Sequence, residues 1–414
     1  FELYNSTYQD FTFGPDGSVQ LITEGDSLVA TFGEHTFTAI IKAASIEDFK
    51  DPEKVSFYVT EDVNSGHYKG TNDPDPGNYD HKIWPHGNTF IGNDGDLYSV
   101  AYLEFLGWEV WGYDSPECPN PNVGTLAEEC WMSALILVKS TDGGVTWDKA
   151  GITPSEYLVA SSPYKYREQE NSARHGVFFL HNGLFKIGNY YYLDLDFWGE
   201  NFKIASYART TDITDASSWR YFDGEDFTIP NVNPYLEIVS DPSSHLPPPR
   251  DNYRLDFNTN KELVEGLSYS SYFNKYIYIR ERVFFGNPEV KPGIYYHLSD
   301  DGFNWSGPSL ILPYKGNFDK ATLPEGGQRY EIVYPSLVDQ VNPGGNIGEH
   351  AYLLWVNFQS ISSSGYNASL NGNRDVEILP ISFKTHEVIS LEVTHTNLNI
   401  PEDSNAGDGY CDNG

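Results

Sequence analysis

The chain has 414 residues, enough to bury a sizeable core as one large domain or two average ones, and its 59 Asp and Glu against 26 Lys and Arg leave a formal charge of -33. A surface this acidic repels a phosphate backbone and excludes nucleic acid as a partner, while suiting a protein kept soluble in salty surroundings with bound Ca²⁺. Aromatic residues make up 15% and Gly and Pro number 37 and 25, with no long amphipathic helical stretch and no apolar run long enough to span a membrane, so short strands joined by punctuated turns are expected.

Phe1 stands where an initiator Met would, which reads as a mature chain trimmed after secretion. The runs Val19 to Thr23, Leu28 to Phe32 and Phe37 to Ile41, parted by turn signals at Glu24-Gly25-Asp26 and Gly33-Glu34, predict a meander, and Val55 to Thr60 adds a strand. Asn64 to Asn78 has no periodicity and is loop. Four segments then repeat one strand–turn–strand pattern: His86 to Ile91 with Leu97 to Phe105, His175 to Leu180 with Tyr190 to Phe197, Glu265 to Ser270 with Tyr276 to Val283, and Tyr334 to Val338 with Ala351 to Phe358. Val388 to Thr394 is a last strand, expected to close a ring against the N-terminus. Cys118 and Cys130 lie in a loop-like stretch without His partners and suit a disulfide better than a metal; Cys411 has no partner left, which fits a chain cut from a longer protein.

Ser140-Thr141-Asp142-Gly143-Gly144-Val145-Thr146-Trp147 reads as a tight hairpin turn in which Asp142 accepts backbone amides and Trp147 covers the turn. It resembles the Asp-box of sialidase-like β-propellers. Degenerate relatives are expected from Thr211-Asp212 to Ser218-Trp219 and from Asp300 to Trp305, the last with Leu298 where the Ser would align. The resemblance implies an all-β propeller over residues 1–400, with five blades when the N-terminal meander is counted and six or seven as alternatives; a two-sheet sandwich does not explain four copies of one pattern. The repeat is longer than the ~40–50 residues of compact propeller blades, so long loops on one face are expected. The tail from Pro401 to Gly414 places Asp403, Asn405, Asp408 and Asp412 around glycines and resembles the opening of a thrombospondin type 3 repeat, a secreted Ca²⁺-binding linker, so these four are the candidate metal ligands.

In a propeller the innermost strand of each blade lines the central channel, and loops at one mouth form the ligand site. Aligning the four copies puts His86, His175, Glu265 and Tyr334 at one equivalent place, and these are the catalytic candidates. The second strands return to that mouth carrying Glu104, Asp194 and Asp196, Arg280 with Glu281 and Arg282, and Asn357, of which alternation turns half inward. Arg174 beside His175 joins the substrate-binding candidates, and Trp84, Trp108, Trp111 and Trp198 are candidates for exposed stacking on sugar rings.

Two chemistries suit this set. Glycoside hydrolysis needs two facing carboxyls, which Glu104, Asp196, Glu265 and Glu281 supply. A lyase acting on a uronic-acid polysaccharide needs a base, an acid and a cation to neutralise the uronate, roles open to His86 or His175, Tyr334 and Arg174, Arg280 or Arg282. His86-Gly87-Asn88 to Ile91, followed by Asp94-Gly95-Asp96-Leu97-Tyr98, looks similar to the His-Asn strands of propeller-fold polysaccharide lyases. No Arg-Ile-Pro motif precedes the turn at Ser140, which argues against a sialidase. The expectation is a secreted, monomeric part of a multidomain protein that cleaves an anionic polysaccharide by β-elimination, with hydrolysis and a non-catalytic binding propeller as alternatives.

Overall fold

The computed structural model describes residues 2–4, 18–34, 37–51, 53–60, 75–85, 88–112, 115–118, 130–166, 175–199, 202–248, 264–282, 293–313, 328–361 and 373–384. The expected strand from Val388 to Thr394 and the tail residues Asp403, Asn405, Asp408 and Asp412 lie outside them.

The chain is all-β. After β1 (Glu2–Tyr4) come β2 (Gln20–Glu24), β3 (Ser27–Glu34), β4 (Phe37–Ala43) and β5 (Ser56–Thr60), a sheet in sequence order where the meander is expected. Next are β6 (Ile83–Trp84), β7 (Thr89–Ile91), β8 (Leu97–Leu106), the short helix α1 (Gly107–Trp111), β9 (Trp131–Ser140), β10 (Asp148–Lys149), α2 (Pro154–Tyr157) and β11 (Leu158–Ser161). A further run comprises β12 (His175–Ile187), β13 (Tyr190–Gly199), β14 (Phe202–Thr210), β15 (Arg220–Phe222) and β16 (Phe227–Pro230). The last two runs are β17 (Val264–Ser270), β18 (Lys275–Arg282), β19 (Gly293–Ser299) and β20 (Ser309–Pro313), then β21 (Gln328–Asp339), β22 (His350–Ile361) and β23 (Asn373–Ser382). Neighbouring strands within these runs pair antiparallel, and a parallel pairing of His175 and Gly176 with Met132 and Ser133 joins β12 to β9 in one eleven-stranded sheet. Short antiparallel sheets following one another in chain order are the strand plan of a β-propeller. At the start of the chain β1, which the sequence reading did not expect, pairs with β23 through Glu2–Glu377 and Tyr4–Val376.

Two compact units can be traced. In the unit built mainly from 58–253, alternation along β13 turns Leu193, Leu195 and Phe197 into a core with Val100, Leu135, Leu137, Val159 and Trp219, which leaves Asp194 and Asp196 on the opposite face of the same strand. In the unit built mainly from 254–384 and the N-terminal segments, Ile277, Ile279, Ile294, Tyr296, Leu353 and Trp355 form the core. A disulfide joins Cys118 to Cys130, as expected from their isolation from His.

The turn after β9 has the expected form. Ser140 Oγ donates to Asp142 Oδ1 (2.8 Å) and accepts from Gly144 N (2.7 Å), Asp142 accepts from the amide and hydroxyl of Thr146, and Trp147 is buried with Nε1 bonded to Gly144 O. Gly144 sits at φ +92, where a side chain would be strained and would also collide with Ile40. The turn after β19 repeats the pattern one residue shorter, and its serine is Ser299, not the Leu298 position: Ser299 Oγ donates to Asp301, which accepts from Phe303 N and Asn304 N. The turn after β14 uses Thr210 and Asp212 in the same manner over a fully buried Trp219.

Candidate functional site

The innermost strand of each of four runs is interrupted at a corresponding point. Between β6 and β7 the ladder with β8 lapses after Trp84, opposite Tyr102, and resumes at Thr89, opposite Ser99. In β12, Leu180 to Gly183 intervene between Phe179, opposite Leu195, and Leu184, opposite Leu193. In β17 the register shifts at Glu265, between Val264 and Gly266, and in β21 it shifts at Tyr334 and Pro335. Such breaks re-aim side chains and end regular pairing, and they recur beside active sites.

This geometry corrects the alignment of the repeats. Glu265 and Tyr334 do stand at equivalent interruptions, but in β12 that place belongs to His181, Asn182 and Gly183, with His175 at the start of the strand. Asn182-Gly183 inside a strand pattern is itself a bulge signal. His86 and Arg174 lie outside the described residues.

Within the first unit the interruptions touch. Asn88, fully buried, accepts the amide of Leu184 on its Oδ1 at 3.0 Å, so one inner strand is pinned to the next where both ladders fail. At the end of this sheet Glu104 lies opposite Ser133, and Ser133 opposite Gly176, which brings the backbone next to His175 and the Glu104 strand to one edge. A Cβ on Gly176 would collide with the backbone of Ser133, while Ser133 Oγ donates to Val177 O at 2.9 Å, so small residues are required for this approach. Glu104 is half-buried and its Oε1 accepts from Tyr102 OH at 3.2 Å. Buried His81 donates from Nδ1 to the Glu104 carbonyl at 3.0 Å, which leaves Nε2 as the basic nitrogen of the neutral ring. Trp84 does not offer an exposed stacking face: it is buried, stacked on Tyr102 at 5.7 Å, and Trp108, Trp111 and Trp198 are each half-buried. Asp194 and Asp196 are 1% and 7% exposed.

In the second unit Gly266, next to Glu265, approaches Pro335, next to Tyr334, so closely that a Cβ would lie 3.1 Å from Pro335 O. The breaks carrying Glu265 and Tyr334 are thus neighbours. Tyr334 is half-buried and holds φ at +55, a conformation that costs a non-glycine residue on the order of 1–3 kcal/mol and marks a place where the backbone is constrained by more than local preference. Arg280 lies opposite Val264 at the edge of the Glu265 shift, and Arg280 and Glu281 are each 4% exposed; Arg282 ends the strand. Alternation puts Glu281 on the face of β18 that carries Ile277 and Ile279, and Arg280 on the other.

Among the described residues no group of three or more His, Cys, Asp or Glu is placed to hold a metal ion, and no helix is long and apolar enough to cross a membrane. No protein-family model matches the chain, and no curated protein matches it. Among solved structures it is similar to a family 32 β-fructofuranosidase from Bombyx mori, with a TM-score of 0.46 and 9% identity over 92% of this chain and 64% of that one. It is similar also to an α-L-arabinofuranosidase from Podospora anserina solved with cellotriose, with a TM-score of 0.43 and 8% identity over 92% and 95% of the two chains. An endo-1,4-beta-xylanase from Bacteroides thetaiotaomicron has a TM-score of 0.40 and 11% identity over 92% and 96%. These are likenesses of backbone path, at identities that carry no residue's role from one chain to another.

Proposed function

We propose that the chain is a propeller enzyme that cleaves glycosidic bonds of an extracellular polysaccharide, and that it does so by hydrolysis with a pair of carboxyl groups. The observation that carries this is the burial of Asp194, Asp196 and Glu281 on the second strands of their runs, with half-buried Glu104 at the corresponding end of β8. Removing a carboxylate from water is costly unless its environment compensates, and folds retain such groups where a proton must be held or moved. Within one unit, Glu104 and Asp196, or within the other, Glu265 and Glu281, supply the pair: one carboxyl acts as general acid on the leaving oxygen and the other as nucleophile or as base toward water. Five runs of strands support a five-bladed ring, and the Cys118–Cys130 disulfide supports an oxidising, extracellular setting.

A second reading, β-elimination on a uronate, is favoured by buried Arg280 at the Glu265 break and by Tyr334 at the neighbouring one, which join a cation, a carboxylate and a phenol in one unit. His86 and His175 remain candidate bases for that reading, with Arg174 and Arg282 as candidate partners for the substrate carboxylate. Ca²⁺ at Asp403, Asn405, Asp408 and Asp412 is a separate proposal, tested by calorimetric titration of the intact chain and of a chain ending at residue 400.

Digestion of a panel of neutral and anionic polysaccharides tests the reaction. New reducing ends without the ultraviolet absorbance of an unsaturated uronate are expected; a rise in that absorbance overturns hydrolysis in favour of elimination, and no cleavage of any member overturns the enzyme reading. Asp196→Asn is expected to lower kcat by about 10²–10⁴-fold, and a wild-type kcat removes Asp196 from the proton transfer.

A further inference from the structure

Asn88 has an atom that the fold does not use. Its backbone carbonyl accepts from Val100 N at 3.2 Å within its own sheet, and its side-chain Oδ1 accepts from Leu184 N at 3.0 Å in the next inner strand. Only the oxygen of a carboxamide accepts such a bond, so the orientation of the group is determined and Nδ2 is the remaining arm. Nδ2 is buried and has no hydrogen-bond partner among the described residues. A donor left unsatisfied in the interior costs on the order of 1–3 kcal/mol, and an apolar residue would avoid the cost. Asn88 also stands where two innermost strands are interrupted side by side, away from the hairpin turns and the buried Trp147.

We infer that Asn88 is a substrate-binding residue: Oδ1 holds the interrupted β12 in register, and Nδ2 donates to an oxygen of the bound sugar, a hydroxyl or a carboxylate. This rests on the glycan-cleaving reading above. A donor kept for a ligand oxygen also fits an amide here: a carboxylate could accept from Leu184, but it would be buried with its charge, would repel the sugar oxygen and would donate nothing.

Asn88→Asp keeps the acceptor for Leu184 and removes the donor, whereas Asn88→Leu removes both at similar volume. On a polysaccharide that the wild type cleaves, Asn88→Asp is expected to lose kcat/KM about tenfold or more at neutral pH, and, because it keeps the acceptor for Leu184 but buries a carboxyl group, to melt below the wild type. It is expected to regain activity under acidic conditions relative to wild type, where the protonated carboxyl donates in place of the amide. Asn88→Leu is expected to lose both stability and activity at every pH. An Asn88→Asp enzyme with wild-type kcat/KM and a pH profile parallel to wild type overturns the inference and leaves Asn88 as a clamp between strands. Should Asn88→Asp fail to fold, wild type carrying isotope-labelled asparagine is titrated with its own cleavage products: shifted Asn88 side-chain amide signals are expected, and unmoved ones overturn the proposal. A wild type that cleaves no polysaccharide overturns the glycan reading and this inference with it, whereas cleavage with an unaffected Asn88→Asp overturns the inference alone.

Discussion

Asp301 and Asp142 show what a single carboxylate does in these turns. Burial alone would raise the pKa of Asp301, but the amides of Asn304 and Phe303, with the side chains of Asn304 and Ser299, outweigh it and hold the group down at about 2. The group therefore contributes stability that is fully present above the ordinary carboxylate pKa of ~3.9 and is lost as pH falls through about 2. Melting temperature followed against pH is expected to fall less steeply in Asp301→Asn than in wild type over that window, and equal slopes would show that Asp301 is not among the linked groups. Asp142 is lowered likewise, burial again being outweighed by Thr146 and Ser140. The role of Asp142 was legible because Ser, Asp, Gly, Thr and Trp fall within eight residues. Asn88 entered only through the likeness of His86-Gly87-Asn88 to the His-Asn strands of lyases, and its bond to the next inner strand was not legible, since its partner Leu184 is 96 residues away.

Hairpins are the elements that the sequence states most plainly. Leu97 to Phe105 and Tyr190 to Phe197 are observed as β8 and β13 within a residue or two, because alternation and turn residues are properties of contiguous chain. The phase of the inner strands is not such a property. Where a ladder breaks is decided by which residues of the partner strand are left to pair, so the β12 break at Leu180 to Gly183 displaced His175 from the equivalence that its His-Gly start implied. Two changes probe the elements that set this edge. Gly176→Ala is expected to destabilise the fold by about 1–3 kcal/mol in denaturant unfolding, because its Cβ has no room against Ser133. Joint replacement of Cys118 and Cys130 by Ser is expected to cost about 2–4 kcal/mol, the usual worth of closing a loop of this size; an unchanged denaturation midpoint would show that the connection between α1 and β9 is held without it.

For the molecule as a whole, the pairing of its first described strand with its last is the feature with the widest reach. Glu2 and Tyr4 pair with β23, so three residues near the start of the chain complete a sheet whose other strands lie within 328–382. Deleting the chain through Tyr4 is expected to lower the melting temperature and to speed proteolysis within 373–382, and unaltered proteolysis would show that β23 stands without this edge partner. What the sequence determined by itself was the all-β class, the meanders, the disulfide and the polar turns, since these follow from composition, alternation and short spacings. Tertiary structure decided that Trp84 is core, that Asp194, Asp196, Arg280 and Glu281 are removed from water, that Glu265 and Tyr334 are neighbours, and that Asn88 reaches Leu184. Each of these depends on which strand lies beside which. That is settled by burying the apolar faces of whole sheets together, a cooperative choice that no short stretch of chain records.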